Sequence, residues 1–557
     1  MDAGLKIILY GNPEEEMLLL MRLNSAKIYP KNCKVISQFD DIISCRIKRK
    51  FLNEVYDSNA VKSIKAPDVV PADSAVEYKE NTVKQSTSIP LREKISNVVF
   101  GLIDFGFDFT HPDFIDQGKT RFEKLWIQSG EYETNKYGYG RILDNNFIDN
   151  AIAADFPFKY AKYHPGKNDL FASGSHGTHV LGIACSNGSV AKKGYASNSP
   201  ILAVDMGNNL VNGSNLSLGD SVKLVEGLDF LLTQAGKRPL VINMSLGGHG
   251  DAHTGQTLVE LAIDAILTRR KGTAIVQSTG NYFQSRAHTF GDIEQNKTFK
   301  IPWFFKKGDT SPNELEIWYE NDDIFSVRIV DDSKEILLES TPFEDELIVK
   351  DEDEVGICLH RNKETNTGKN HINILINGKI NSKFWTIELF GEKVNNGRFH
   401  AYIERDDKGQ SIFLPEIVNQ THTTNSICNA KYSIAVGAYN QAEKERPILP
   451  FSSSGPTVDG RMKPEILAPG YKIKSSCSSS NRENRASNKL CSKSGSSMAS
   501  PYVASLIVKI LEKNPNLDIH QIRKILFQNC EAAQFDKSKN EFFRAGHGYI
   551  NASKITT

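Results

Sequence analysis

Apolar positions along this chain follow three patterns. From Asn97, continuous β-branched runs recur at Val98–Ile103, Ile201–Asp205, Leu240–Met244 and Thr273–Gln277. A helical spacing separates the middle pair (Asp220–Gln234), and another lies between the last two (Gln256–Arg269). Unbroken apolar strands alternating with helices predict a mostly parallel, doubly wound α/β sheet buried on both faces. The same pattern returns at Tyr432 and closes with helices over Ser500–Lys513 and Ile519–Gln528. Residues 285–425 instead alternate with period two, at Thr298–Pro302, Glu314–Tyr319, Phe325–Val330, Ile372–Ile376, Phe384–Phe390 and His400–Glu404. Turn pairs such as Asn321-Asp322 and Asn377-Gly378 punctuate them, which predicts an all-β insert. Residues 1–65 read as a small α+β unit. Its expected elements are a strand at Lys6–Tyr10, a helix at Pro13–Asn24, a hairpin of Lys34–Phe39 and Ile42–Ile47, a helix at Lys50–Asn59 and a strand at Val61–Ile64. The non-periodic, Pro-containing stretch 66–92 reads as a linker.

Bulk composition narrows the function classes. The 557 residues carry 67 basic and 67 acidic side chains, so nothing favours nucleic acid or a membrane surface as partner. No stretch approaches the ~18 apolar residues of a membrane span, and the N-terminus does not read as a signal peptide. The eight cysteines are scattered without a C-x-x-C pair, as expected of free thiols in a reducing compartment. Together these features predict a cytoplasmic location and no metal or cofactor. The acidic run EDELIVKDEDE (344–354) lacks ligand spacing and reads as a solvated hairpin face.

Candidate chemistry begins with VVFGLIDFGFDFTHPDF (98–114). Asp104-Phe105-Gly106 spells the magnesium triplet of protein kinases, but no Gly-rich phosphate loop or His-Arg-Asp loop precedes it. What remains is an acid at the carboxyl end of a buried strand, where open α/β sheets place their sites, or a turn-forming Asp. In GSHGTHVLGIA (174–184), His176 and His179 open a helical run. There an imidazole serves either as a general base or as a buried structural group. AIVQSTGN (274–281) ends a strand on Asn281, a donor for developing negative charge or a turn residue. KSGSSMASPYVASLIVKIL (493–511) sets Ser497 among small residues at a helix start, as a nucleophile or as an N-cap. Each plain reading is adequate alone, but all four residue types occur together, in the order Asp, His, Asn, Ser.

That order, with the surrounding blocks, resembles the subtilisin-like serine peptidases. GLIDFGFDFTHPDF resembles their Asp block, HGTHVLGI their His block and VINMSLGG (241–248) the strand lining their substrate groove. STGN resembles their oxyanion block, while FSSSGPTVDGRMKPEILAPG (451–470) and GSSMASPYVA (495–504) resemble the stretches up to and around their serine. The resemblance implies a three-layer α/β subtilisin-like fold. It implies Ser497 as nucleophile, His176 as general base, Asp104 as its orienting carboxylate and Asn281 with the Ser497 amide as oxyanion donors. It further implies that Ser245, Leu246 and Gly247 bind substrate backbone and line the first specificity pocket, with Thr279 and Gly280 on the other wall.

The remaining parts are read against the same resemblance. Residues 1–65 resemble a prodomain that would act as intramolecular inhibitor, and 66–92 would hold its processing site. The catalytic unit would span 93–284 and 426–557, and the insert at 285–425 resembles the jelly-roll of Csp-type proteases. Phe105 departs from the small hydroxyl residue usual after the Asp, and Ser496 stands where Thr is usual. Two lysines in NGSVAKKG (187–194) disfavour the calcium that many relatives hold there. The expected partner is a protein or peptide substrate, and the alternative reading is an inactive binding protein on the same scaffold.

Overall fold

The computed structural model describes residues 5, 11–65, 76–78, 94–129, 133–167, 176–207, 220–307, 309, 311–376, 383–404, 411–478, 489–533 and 541–556. The N-terminal unit is a four-stranded sheet of β1 (Glu16–Leu23), β2 (Lys34–Phe39), β3 (Ile42–Lys48) and β4 (Val61–Lys65), ordered β2-β3-β1-β4. A short helix, α1 (Leu52–Tyr56), precedes the last strand. The helix expected at Pro13–Asn24 is instead β1, and the strand expected at Lys6–Tyr10 lies outside the described residues. The reason is burial on both faces. Met17, Leu19, Met21 and Leu23 fill the unit's own small core, while Leu20, with Leu18 beside it, packs into the main core. A strand apolar on both sides loses its period-two signature and reads like a helix segment. Of the linker, Val76–Tyr78 is described. It forms β5.

The central sheet is built from β6 (Val99–Asp104), β7 (Phe122–Ile127), β8 (Arg141–Asp144), β9 (Ile201–Asp205), β10 (Leu240–Met244) and β11 (Thr273–Ser278), with α2 (His176–Cys185), α3 (Asp220–Ala235) and α4 (Leu258–Arg269) between them. After the insert come β12 (Ile434–Tyr439), β13 (Ile466–Pro469), the hairpin β14 (Ile473–Cys477) and β15 (Lys489–Ser494), α5 (Ser496–Lys513), α6 (Ile519–Gln528), β16 (Cys530–Glu531) and β17 (Tyr549–Ile550). Strand order is β8-β7-β9-β6-β10-β11-β12-β13-β17-β16, parallel except at its two outermost pairs. Every residue of β6, β9, β10, β11 and β12 is buried, as unbroken apolar strands require. Helices α3 and α4 pack together over one face of the sheet, and α2 and α5 pack together over the other. β5 adds antiparallel to β15, Val76 opposite Ser494, two residues before α5 begins.

Two of the eight cysteines are not free thiols as expected: Cys477 and Cys491 form a disulfide across the β14–β15 hairpin, with Cα atoms 5.6 Å apart. The spacing gave no sign of it because the hairpin's turn separates the pair by 14 positions.

The N-terminal sheet lies over α3 and α4, and its dock is marked by one buried ion pair. Arg46 donates to both carboxylate oxygens of Glu226 on α3, each at 2.8 Å, and Ser44 Oγ adds a bond of 2.7 Å. Both charged side chains are almost fully buried. Removing one partner of such a pair strands the other charge in a low-dielectric site. Arg46→Ala is therefore expected to lower folding stability by about 3–5 kcal/mol. Urea denaturation checks this, and a loss below about 1 kcal/mol would refute it.

Between Asn281 and β12 stands the all-β insert. Eleven strands, from His288–Asp292 to Ile412–Phe413, form facing sheets of six and five around a separate core that includes Trp303, Trp385, Phe325 and Ile374. The acidic run lies in an antiparallel hairpin, Asp345–Lys350 against Asp353–Arg361. Five histidines gather at the seam with the α/β unit: His249, His253, His288, His400 and His422. Tyr402 stacks on His253, with centroids 4.1 Å apart, and on His288 at 4.6 Å.

Burial and mutual contact favour neutral imidazoles here. His288 Nδ1–H donates to the Asn419 carbonyl at 3.2 Å, and its Nε2 lies 3.2 Å from His400 Nδ1, a contact that needs a lone pair on one of the two nitrogens. Burial pushes His253 and His422 down to about 4, and His288 and His400 well below the ordinary range. With folded values depressed, stability is complete above the unfolded value near 6.5 and is lost as pH falls from there toward about 4. His253 and His422 are each expected to remove on the order of 3 kcal/mol across that window. Urea midpoints measured from pH 7.5 to 4.5 at fixed ionic strength test this. A midpoint that stays level between pH 6.5 and 4.5, or one that falls identically in His253→Gln, contradicts it.

Candidate active site

Asp104, His176, Asn281 and Ser497 are far apart in sequence, and the sheet brings them to one edge. Asp104 is the last residue of β6, His176 the first of α2, Asn281 follows β11 by three positions and Ser497 is the second residue of α5. All lie at the carboxyl end of the parallel strands, the position at which open α/β sheets hold their sites.

The core of the site is one short bond. His176 Nδ1–H donates to Asp104 Oδ1 at 2.6 Å, and Asp104 is wholly buried. The same oxygen accepts from the Phe105 amide at 2.7 Å. The Phe105 side chain belongs to the main hydrophobic core, so the residue supports the carboxylate through its backbone while its ring packs away. The α2 start is fixed just as tightly. Gly177 N donates to Phe105 O at 2.8 Å, and Thr178 donates to Gly106 O through both its amide and its hydroxyl, each at 3.0 Å. Gly177 is required there because a Cβ would sit 2.9 Å from Phe105 O.

Ser497 is completely buried, and its Oγ makes no hydrogen bond among the described residues. A His176–Ser497 bond is therefore not formed in this state; such bonds commonly tighten only when substrate is seated. The first turn of α5 is anchored by hydroxyls. Pro501 has no N–H to donate to the carbonyl four residues earlier, and that carbonyl belongs to Ser497. Ser245 Oγ supplies the missing donor at 3.2 Å. Ser245 Oγ also lies 2.9 Å from Ser500 Oγ, which donates to Asn243 Oδ1 at 2.9 Å, and Asn243 Nδ2 donates back to Ser245 Oγ at 3.0 Å.

Asn281 is oriented by the residue before the serine. Its Oδ1 accepts from Ser496 N at 3.1 Å and from Ser496 Oγ at 3.2 Å. A backbone N–H can only donate, so the carbonyl end of the Asn281 side chain faces Ser496 and the amide end faces away. The other expected binding residues flank this edge. Ser245, Leu246 and Gly247 follow β10, and Thr279 and Gly280 follow β11. Tyr282, which sequence reading passed over, donates its hydroxyl to Gly247 O at 3.0 Å, and Asn425 Nδ2 donates to Ser278 O at 2.8 Å. The insert reaches this same place, for Glu404 accepts from the amides of His249 and Gly250, both at 2.8 Å. Asp113, in the HPDF tail, accepts from Val190 N at 2.8 Å, Ala191 N at 3.0 Å and Ser476 Oγ at 2.6 Å, so protein donors hold the loop at 187–194.

Sequence comparison decides the family: the profile described as "Subtilase family" matches residues 96–303 and 392–548, most of the chain. The chain belongs to the subtilase family of serine proteases. Among curated relatives, the Serine protease AprX of Bacillus subtilis is 33% identical over 129 residues, 21% of this chain and 28% of that protein. The Minor extracellular protease Vpr of the same organism is 22% identical over 552 residues, 90% of this chain and 58% of that protein. The C5a peptidase of Streptococcus pyogenes is 25% identical over 509 residues, 83% of this chain and 40% of that protein. The chain spans 28% of AprX and 58% of Vpr, less than two thirds of either. In structure it is similar to the CspB protease of Clostridium perfringens, with a TM-score of 0.69 at 23% identity over 83% of this chain and 94% of that one.

The cytoplasmic location expected from sequence is corrected by these relatives: Vpr, aligned along nearly the whole subtilase chain, is named as extracellular. That expectation rested on an N-terminal stretch that does not read as a signal peptide and on cysteines taken as free, two of which form a disulfide.

The Ser245 bond to the Ser497 carbonyl yields a stability test. Ser245→Ala is expected to cost about 1–3 kcal/mol, because a buried carbonyl loses its donor. Pro501→Ala restores a helical N–H to that carbonyl, so in its background the cost of Ser245→Ala should fall by at least about half. Thermal denaturation of the four-member cycle measures it; strictly additive effects would rule the assignment out.

Proposed function

We propose that this subtilase is a serine endopeptidase made as a proenzyme. The observation that carries the reading is the 2.6 Å bond from His176 Nδ1 to the buried Asp104 carboxylate, at the edge where Ser497 heads a helix. With Nδ1–H committed to Asp104, His176 Nε2 is the basic nitrogen that takes the Ser497 proton as Oγ attacks the scissile carbonyl. The same nitrogen returns the proton to the leaving amine. Asp104 holds the ring in that tautomer and stabilises the imidazolium. The Asn281 amide and the Ser497 backbone N–H, at the positive end of α5, receive the oxyanion. Ser245, Leu246 and Gly247 bind the substrate backbone, with Thr279 and Gly280 opposite.

In this reading residues 1–65 are the prodomain, 93–284 and 426–557 the catalytic unit and 285–425 an insert. The prodomain ends on β4, and its terminal Lys65 pairs with Asp251 at 3.2 Å, just past the expected substrate strand. The chain next appears as β5 on β15, beside Ser497. A chain held by Asp251 at Lys65 and by Ser494 at Val76, three positions before the nucleophile, supports self-cleavage between Lys65 and Val76.

Intact mass of wild type beside Ser497→Ala, each with fluorophosphonate labelling, tests the proposal. Wild type is expected to be cut once before Val76 and to label, while Ser497→Ala stays whole and unlabelled. Asn281→Ala is expected to lower turnover by about 10²–10³, a magnitude taken from the handling of this oxyanion donor in a subtilisin. Correctly folded wild type that neither cleaves itself nor labels would favour an inactive binding protein on the same scaffold.

A further inference from the structure

Tyr282 occupies an unusual place relative to the two expected walls of the first specificity pocket. One wall is Ser245–Gly247 and the other Thr279–Gly280. The Tyr282 hydroxyl donates to Gly247 O at 3.0 Å, and its ring edge lies against Gly280, where a methyl group would come within 2.9 Å of Cδ2. A single side chain thus spans the gap from wall to wall, and it is buried there.

The ring is fixed from several directions. Tyr282 N donates to Ser453 Oγ at 2.9 Å, and Ser453 N donates to Gly280 O at 3.1 Å, locking the turn that carries the ring. His249 packs on the ring with centroids 4.7 Å apart, and Glu404 of the insert holds the His249 amide at 2.8 Å. Swinging the ring aside would break the Gly247 bond and the His249 contact.

We propose that Tyr282 closes the first specificity pocket of this protease, restricting the residue before the scissile bond to Gly, Ala or Ser. The proposal rests on the proteolytic reading above. A filled pocket rejects a large side chain by overlap, whereas a methyl or hydroxymethyl group needs little depth. The stretch between Lys65 and Val76, where self-cleavage is expected, contains Ala66, Ala72, Ser74 and Ala75.

The test uses the full chain as purified, two peptide p-nitroanilides that differ only in Ala or Phe at that position, and fluorophosphonate labelling of the same samples. Wild type is expected to favour Ala in kcat/KM, and Tyr282→Ala to move the Phe-to-Ala ratio toward Phe by about 10–200-fold. Tyr282→Leu, which keeps an apolar group in the core, should shift it part-way, and Tyr282→Phe, which keeps the ring, should retain the Ala preference. Labelled proteins whose ratio stays within about twofold of wild type in both Tyr282→Ala and Tyr282→Leu overturn the inference alone. Folded wild type without labelling or turnover removes the proteolytic reading, and the inference with it.

Discussion

Burial of the Asp104 carboxylate is the constraint around which the rest of the site is arranged. A lone charge at the end of an apolar strand is tolerated only if donors surround it. His176 and the Phe105 amide meet the same oxygen at 2.6 and 2.7 Å. To bring His176 there, α2 must begin directly on the turn that follows β6, which the bonds from Gly177 and Thr178 to Phe105 O and Gly106 O enforce. α5 must then pack beside α2, which sets Ser497 on the same edge. The central position of β6, between β9 and β10, keeps water from the carboxylate.

A second dependence runs through the loop after β10. Carboxylates from the insert accept from its backbone amides: Glu404 at His249 and Gly250, and Glu316 at Asp251, 3.1 Å away. The N-terminal unit joins through Lys65 to Asp251, and Ser63 Oγ bonds Asn366 of the insert at 3.1 Å. Three parts of the chain therefore meet at one loop beside the site. Because the donors are main-chain N–H groups, the arrangement constrains the loop's path more than its side chains.

Much of this was readable in the sequence because it is local. A β-branched run followed by Gly marks a strand end, and a small-residue run opening on Ser or His marks a helix start; these cues located Asp104, His176, Asn281 and Ser497 on their elements. The central strands fall within a residue of expectation for the same reason. Where a segment is apolar on both faces, as in β1, periodicity disappears and a strand was read as a helix. Tertiary hydrogen-bond partners left no trace either. Glu404 lies 155 positions from His249, and nothing in its surroundings distinguishes it from the many acids of a solvated strand. Ser245 was read as a substrate-binding residue, yet its hydroxyl serves Ser497 O, a role visible only once Pro501 is seen to withhold an N–H. The Phe105 departure removes a side-chain hydroxyl, and Asp104 accepts there from a backbone amide that every residue but proline possesses.

The point of insertion explains why so large an addition is compatible with the site. The all-β insert begins three positions after Tyr282 and ends on Asn425, so both of its connections lie against Gly247 and Thr279. Asn425 N donates to Thr279 O at 2.9 Å, and its side chain lies against Gly247, where a Cβ would come within 2.6 Å of it. A unit joined at those two points cannot shift without moving Thr279, Gly280 or Gly247. Its carboxylates hold the same loop through further bonds, so several individually modest contacts act together on one segment. The positions of Thr279 and Gly247 are then tied to an entire second core, in place of one loop's own stiffness.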